Sequence, residues 1–172
     1  MAGSLVKIAE TTVSSAVASV TLTGIDSTYD VYKVVVSNMQ PDTDIQQLRK
    51  RFTESGTPNT TANYDQAYKR FRAENTFQNT SATNQDNFGQ YDSLGTGTGE
   101  LYNEQFYIFN ANNSSEYTFA TWEATFFDWQ PYARGIAGGV VLTQTTSVDG
   151  LHFYMSSGNI ASGTFKLYGL VK

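Results

Sequence analysis

Apolar and polar residues alternate nearly one for one along most of this chain. In Ser19-Val20-Thr21-Leu22-Thr23 the apolar side chains fall on every second position, as a strand with one buried face requires. Val6 and Ile8 open an earlier strand, and Gly24 with Asp26-Ser27 turns the chain after Thr23. From Asp30 to Met39 the pattern predicts a long strand with Tyr32, Val34 and Val36 on one side. Lys33 and Ser37 share the other side with Val31 and Val35, which predicts partial cover there too. Three successive β-branched residues, Val34 to Val36, argue against helix.

Two segments fit both periods. Ile45, Leu48 and Phe52 have helical spacing, whereas Leu48, Lys50 and Phe52 fit a strand with one discordant lysine. The strand reading, Gln47 to Glu54 after a turn at Pro41 to Asp44, is preferred, and 64–74 is also read as strand. From Asn75 to Gly99 the chain is polar apart from Phe77, Phe88, Tyr91 and Leu94, which predicts a long loop or a short hairpin. Strands then follow at Leu101 to Asn110, Glu116 to Phe127, Gly135 to Gln144, Leu151 to Met155 and Gly163 to Val171. Asp149-Gly150 reads as a hairpin turn. Eight to ten strands without an internal repeat predict a single domain over residues 1–172, an all-β, two-sheet antiparallel sandwich of jelly-roll type.

Composition narrows the function. Charged residues make up 16% of the 172, below the roughly 25% of ordinary soluble domains, and neutral polar side chains take their place. Such a surface suits packing against other proteins. There is no cysteine, so disulfides, thiolate metal sites and a cysteine nucleophile are excluded. A net charge of −5 argues against general nucleic-acid binding. Met1 to Leu5 lacks a basic start followed by an apolar run, so a secretory leader is not expected, and no apolar stretch approaches membrane-spanning length. The expected place of synthesis is the cytoplasm.

Chemistry-bearing residues are sparse. His152 is the only histidine, lies between Leu151 and Phe153, and has no nucleophile motif beside it. A surface or interface histidine is the preferred reading. Glu104, Glu123 and Asp128 lie among aromatics, as carboxylates of a glycosidase would, but spacing alone pairs none of them. Asp42-Thr43-Asp44 is read as a turn rather than a Ca²⁺ loop. Gly95 to Gly99 lacks the lysine and helix of a phosphate loop. No cofactor, metal or catalytic residue is expected.

Contact residues are easier to nominate. Arg49, Lys50, Arg51, Lys69, Arg70 and Arg72 are six of the eleven basic residues. If their two segments pair as neighbouring strands, they form a basic stripe for an acidic partner, the alternative being a solvated face balanced by nearby acids. The segment Tyr117 to Trp129 carries rings on both faces, one for the core and one for another covering element. Arg49, Arg51, Lys69, Arg70, Arg72, Trp122, Trp129 and Tyr132 are therefore the interface candidates.

Two regions carry a family likeness. One runs through Ser19 to Ile25, Tyr29 to Val36 and Leu48 to Thr53; the other is Ile160-Ala161-Ser162-Gly163-Thr164-Phe165-Lys166-Leu167-Tyr168-Gly169-Leu170. Both resemble small β-sandwich virion proteins and fibre-tip domains of tailed bacteriophages, which open on a tyrosine-x-valine strand and close on Gly-x-x-Lys-Leu-Tyr-Gly. Lys50 departs from the apolar residue that pattern has, and residues 75–99 have no counterpart in it. The resemblance implies a non-enzymatic virion component, a capsid decoration (cement) or tail-fibre protein. Its partners would be other virion proteins and further copies of itself, with a host-surface glycan as an additional contact. The competing expectations are a carbohydrate-binding module, using rings such as Trp122, Trp129 or Tyr132, and a glycan hydrolase.

Overall fold

The computed structural model describes residues 4–74 and 76–171. Met1 to Gly3, Asn75 and Lys172, which the leader reading and the start of the polar excursion touch, lie outside them. Among the described residues there are thirteen strands: β1 (Leu5–Val13), β2 (Ser19–Thr23), β3 (Val31–Pro41), β4 (Leu48–Glu54), β5 (Thr57–Pro58), β6 (Tyr64–Arg72), β7 (Gln78–Gln85), β8 (Phe88–Gly89), β9 (Tyr102–Phe109), β10 (Thr118–Phe127), β11 (Ala133–Leu142), β12 (Gly150–Met155) and β13 (Ile160–Leu170). They build two antiparallel sheets packed as a sandwich. The eight-stranded sheet runs β1-β13-β3-β9-β10-β11-β6-β7. The smaller sheet runs β2-β12-β4-β5, with β8 also paired to β4.

The alternation decides which side of each strand is buried. Tyr32, Val34 and Val36 point inward from β3, as do Phe106 and Ile108 from β9 and Trp122 and Phe126 from β10. Opposite them the small sheet contributes Val20, Leu22, Leu48, Phe52, Leu151 and Phe153. Burying such rings and branched side chains supplies the main driving force for the fold, roughly 25 cal/mol per Å² of apolar surface. Gly138 on β11 marks a close approach of neighbouring strands. A Cβ there would lie 2.2 Å from the Tyr68 Cβ, and its absence lets the Tyr68 and Trp122 rings meet at 5.4 Å.

Three expectations need correction. First, Asp149-Gly150 is not a hairpin turn. The strands before and after it, β11 and β12, belong to different sheets, and neither residue has a positive φ. Asp149 instead brackets the small sheet: its carboxylate accepts bonds from the Thr53 hydroxyl at 2.6 Å and the Gly56 amide at 2.7 Å. Gly150 is needed because a Cβ would meet the Leu22 carbonyl at 2.4 Å.

Second, β4 and β6 do not pair. They sit in opposite sheets, so the basic stripe does not form. Third, the excursion is neither a loop nor a self-contained hairpin. Gln78 to Gln85 adds β7 to the edge of the large sheet. Residues 86–94 then close the open side between the sheets. Phe88 and Gly89 pair with Lys50 and Arg49 of β4. From β6, the Gln66 side chain accepts the Gly89 amide at 3.1 Å and the Tyr68 hydroxyl accepts the Tyr91 amide at 3.0 Å.

Candidate functional site

The outward side of the eight-stranded sheet carries an ordered array of side chains. Register carries one row across it: Lys166, Val35, Gln105, Glu123, Ala137 and Lys69. The next row holds Lys33, Tyr107, Thr121, Gly139 and Ala67. Small residues on β10, β11 and β6 make the middle of this face low. Two adjoining depressions of about 360 and 410 Å³ lie there and share Gln105 and Glu123. Gln105 donates to the Glu123 carboxylate at 3.3 Å.

Rings stand at both ends of the low ground. Phe119 is 43% exposed and Phe127 40%, and these two outward positions bracket β10. Tyr117 continues the first end, and Trp129 and Tyr132 the second, all three exposed. The turn bearing Trp129 and Tyr132 is held from beneath. Asp128 is buried and accepts the amides of Gln130 and Tyr132, both at 3.0 Å. Arg134, also buried, donates to the other Asp128 oxygen at 2.5 Å and to Glu74. Bonds to charged groups in such a setting are roughly twice as strong as neutral ones, so the rings are presented on a fixed support.

The nominated residues divide unevenly. Trp129 and Tyr132 are exposed, in the turn after β10. Trp122 is buried among Tyr68 and Phe88, which withdraws it as a surface ring. Lys69 is exposed on the outward side, with its ammonium 5.8 Å from the Phe77 ring. Arg70 lies on the inward-facing positions of β6 and grips Asp92 with two bonds. Arg72 is 3.3 Å from Glu74. On the small sheet Arg51 pairs with Asp86 and lies over the Tyr154 ring at 4.8 Å, with Arg49 two positions along the same face. Three of the basic candidates are thus in internal ion pairs, and the five do not share a surface.

The suspected chemistry does not converge either. Glu104 faces the core, Glu123 the outer surface, and Asp128 is tied to Arg134. Glu104 and Glu123 border the same depression, but the Glu104 carboxylate is turned into the core, so the two do not face one another as a pair flanking a glycosidic bond would. Asp42 bridges two loops, accepting the backbone amide and side-chain amide of Asn159, both at 2.8 Å. Among the described residues no group of three or more His, Asp or Glu is placed to hold a metal ion. No helix among them is long and apolar enough to cross a membrane.

His152 faces outward from β12, its Nδ1 2.8 Å from the Thr21 hydroxyl and its ring 5.6 Å from Tyr154. Partial burial, and then the nearby Arg51 charge, push its pKa below the ordinary 6.5. A depressed histidine favours the neutral form in the folded state. Its contribution to stability is therefore complete above the unfolded value and is lost as pH falls below it. An NMR titration should give an apparent pKa under 6.5 that moves upward in Arg51→Gln; a value at or above 6.5 contradicts the arrangement.

The feature that sequence reading missed lies inside. Lys50 on β4 reaches across the core to Glu104 on β9, and their side chains are 1% and 0% exposed. The ammonium lies 5.7–5.8 Å from the centroids of the Phe88, Phe106 and Trp122 rings. Burial lowers the Lys50 pKa, and Glu104 opposes that shift. A readable signal existed: both charges sit midway in inward-facing triplets, Leu48-x-Lys50-x-Phe52 and Tyr102-x-Glu104-x-Phe106.

Compared with protein-family models and with curated proteins, the chain matches none.

Proposed function

We propose that this chain is a non-enzymatic structural component of a tailed-bacteriophage particle, a capsid decoration or tail-fibre protein, that assembles through the outer face of its eight-stranded sheet. The observation that carries the contact role is the paired exposure of Phe119 and Phe127 at the two ends of a low, small-residue floor. Exposed rings at the edges of a shaped depression are what protein interfaces use as anchors. The virion assignment rests on the strand motifs at the two ends of the chain. Its localisation would be the particle, after synthesis in the host cytoplasm.

Sedimentation of the purified chain tests the contact role. Self-association is expected, and Phe119→Ser/Phe127→Ser should weaken it at least tenfold, since about 1.4 kcal/mol is a factor of ten and interface rings commonly supply more. Both substitutions are on the outward side, so the fold should survive. A chain that stays monomeric at the highest concentration it tolerates contradicts assembly through this face. Density or peptides of this chain in a purified particle decide the virion assignment.

A carbohydrate-binding role is the second reading. Trp129 and Tyr132, presented beside Gln130 on the rigid turn, favour it. A glycan array separates the two: selective binding abolished by Trp129→Ala supports the second, and no binding supports the first.

A further inference from the structure

We propose that Lys50 and Glu104 condense, with loss of one water, into an isopeptide bond that ties the two sheets together through the core. Nothing in this inference depends on what the outer face binds. It stands on placement, enclosure and unsatisfied bonding.

Placement comes first. Lys50 lies mid-strand in the small sheet and Glu104 in the large one, 54 positions apart in sequence. The Lys50 Nζ touches Glu104 Oε1, so nucleophile and carboxyl carbon are held as neighbours by two rigid strands. Fixed proximity of this kind is worth effective molarities of 10⁵–10⁸ M, on the order of those measured for intramolecular reactions.

Enclosure is the second observation. Both side chains are sealed from solvent, and Phe88, Phe106 and Trp122 wall the ammonium. Charges are held badly in such a place. The desolvation of a buried ion pair often exceeds its mutual attraction. An amide carries no net charge and is far cheaper to bury. Water, which would reverse the condensation, is excluded by the same rings.

Third, the bonding of the ion pair is incomplete. Glu104 Oε2 and the Tyr102 hydroxyl are buried next to each other without a well-formed hydrogen bond, and the Trp122 Nε1 is buried without a partner. A buried carboxylate that has one ammonium and one poorly aligned phenol hydroxyl as its polar neighbours is an expensive arrangement. Condensation removes one of the carboxylate's two oxygens. Lowering of the Lys50 pKa by burial acts in the same direction, because the attacking amine must be neutral.

The step balances without any added reagent. A proton passes from the Lys50 ammonium to the Glu104 carboxylate, leaving an amine and a carboxylic acid. Nζ attacks Cδ and a C–N bond forms. A second proton moves from nitrogen to one carboxyl oxygen, the C–O bond breaks, and that oxygen departs as water. No electrons are transferred to or from an outside group. The product gives a cysteine-free sandwich a covalent cross-link between its sheets.

The test is the intact mass of the full-length protein, folded, incubated at neutral pH and then denatured. The wild type should be lighter than its sequence mass by one water, about 18 Da. Trypsin cuts after Arg49, Arg51, Arg72 and Arg134, so the residues Lys50-Arg51 should appear joined to the 73–134 peptide. Lys50→Arg should show no deficit. Lys50→Met/Glu104→Leu should show none either, and because it swaps the pair for apolar side chains it keeps a folded comparison in hand. A folded wild type at its full sequence mass overturns the proposal. So does a deficit confined to the 135–166 peptide, where a succinimide at Asp149-Gly150 would lose the same water.

Discussion

Relative to the ion-paired, uncondensed chain, Glu104→Ala is expected to lower the free energy of unfolding by about 3–5 kcal/mol, the range for removing one partner of a buried pair. The loss has two parts. Lys50 is left in an aromatic enclosure with no counter-charge, and the vacated space removes packing between the sheets. The deficit should grow as pH falls. An isolated buried lysine has a depressed pKa, and its stabilising contribution disappears as acid protonates the unfolded chain more readily than the folded one. Chemical denaturation read by tryptophan fluorescence measures both effects. Lys50→Met/Glu104→Leu should recover most of the loss, because well-packed apolar replacements of buried pairs are often neutral or better. A single-variant loss under about 1 kcal/mol would mean that the enclosure admits water and behaves as a surface pair.

Phe153→Ala is expected to cost about 3–5 kcal/mol as well, by the different route of cavity formation. Phe153 is fully buried at the centre of β12, the strand that joins both halves of the small sheet. Its ring meets Phe165 of the large sheet at 5.0 Å and Phe106 at 6.3 Å. Removing it leaves a void bordered by both sheets that neither rigid strand array can collapse to fill. For a domain of this size, roughly 2–4 °C of melting temperature is lost per kcal/mol, so a fall of about 10 °C is the expected reading. Phe153→Leu, which keeps most of the volume, should fall by less than half as much. Equal losses for the two variants would show that the ring contacts, rather than the filled volume, dominate.

The outer face and the interior pair were legible to different degrees. The aromatic alternation of 117–129 showed that rings would stand on two faces, and the structure places Trp122 and Phe126 inside with Phe119 and Phe127 outside. Which ring belonged to which side depends on parity within the strand, and Trp122 was nominated for the surface although its parity matches that of Phe126. Lys50 looked discordant because a lysine rarely faces a core alone. It is not alone, but its partner is 54 positions away, and pairing at that distance is a property of how two sheets are stacked.

Strand identity was settled by local chemistry. The period-2 pattern, the β-branched run at Val34 to Val36 and the turn residues between segments are features of neighbouring positions, and they placed β2, β3, β4, β6 and β9 to β13 within a few residues of where they lie. Sheet membership was not settled that way. A strand's own residues do not say which edge it joins, so β4 and β6 look like partners in sequence and stand in opposite sheets. Asp149-Gly150 has the local form of a hairpin, yet the chain there crosses between layers because β12 finds its partners in β2 and β4. The polar stretch after Asn75 lacked the large side chains that announce burial, and its order comes from backbone pairing with β6 and β4 and from the Gln66 and Tyr68 side chains. Periodicity is written residue by residue, whereas strand partners, enclosed charges and plugged openings depend on contacts between distant segments, and those exist only once the two sheets have met.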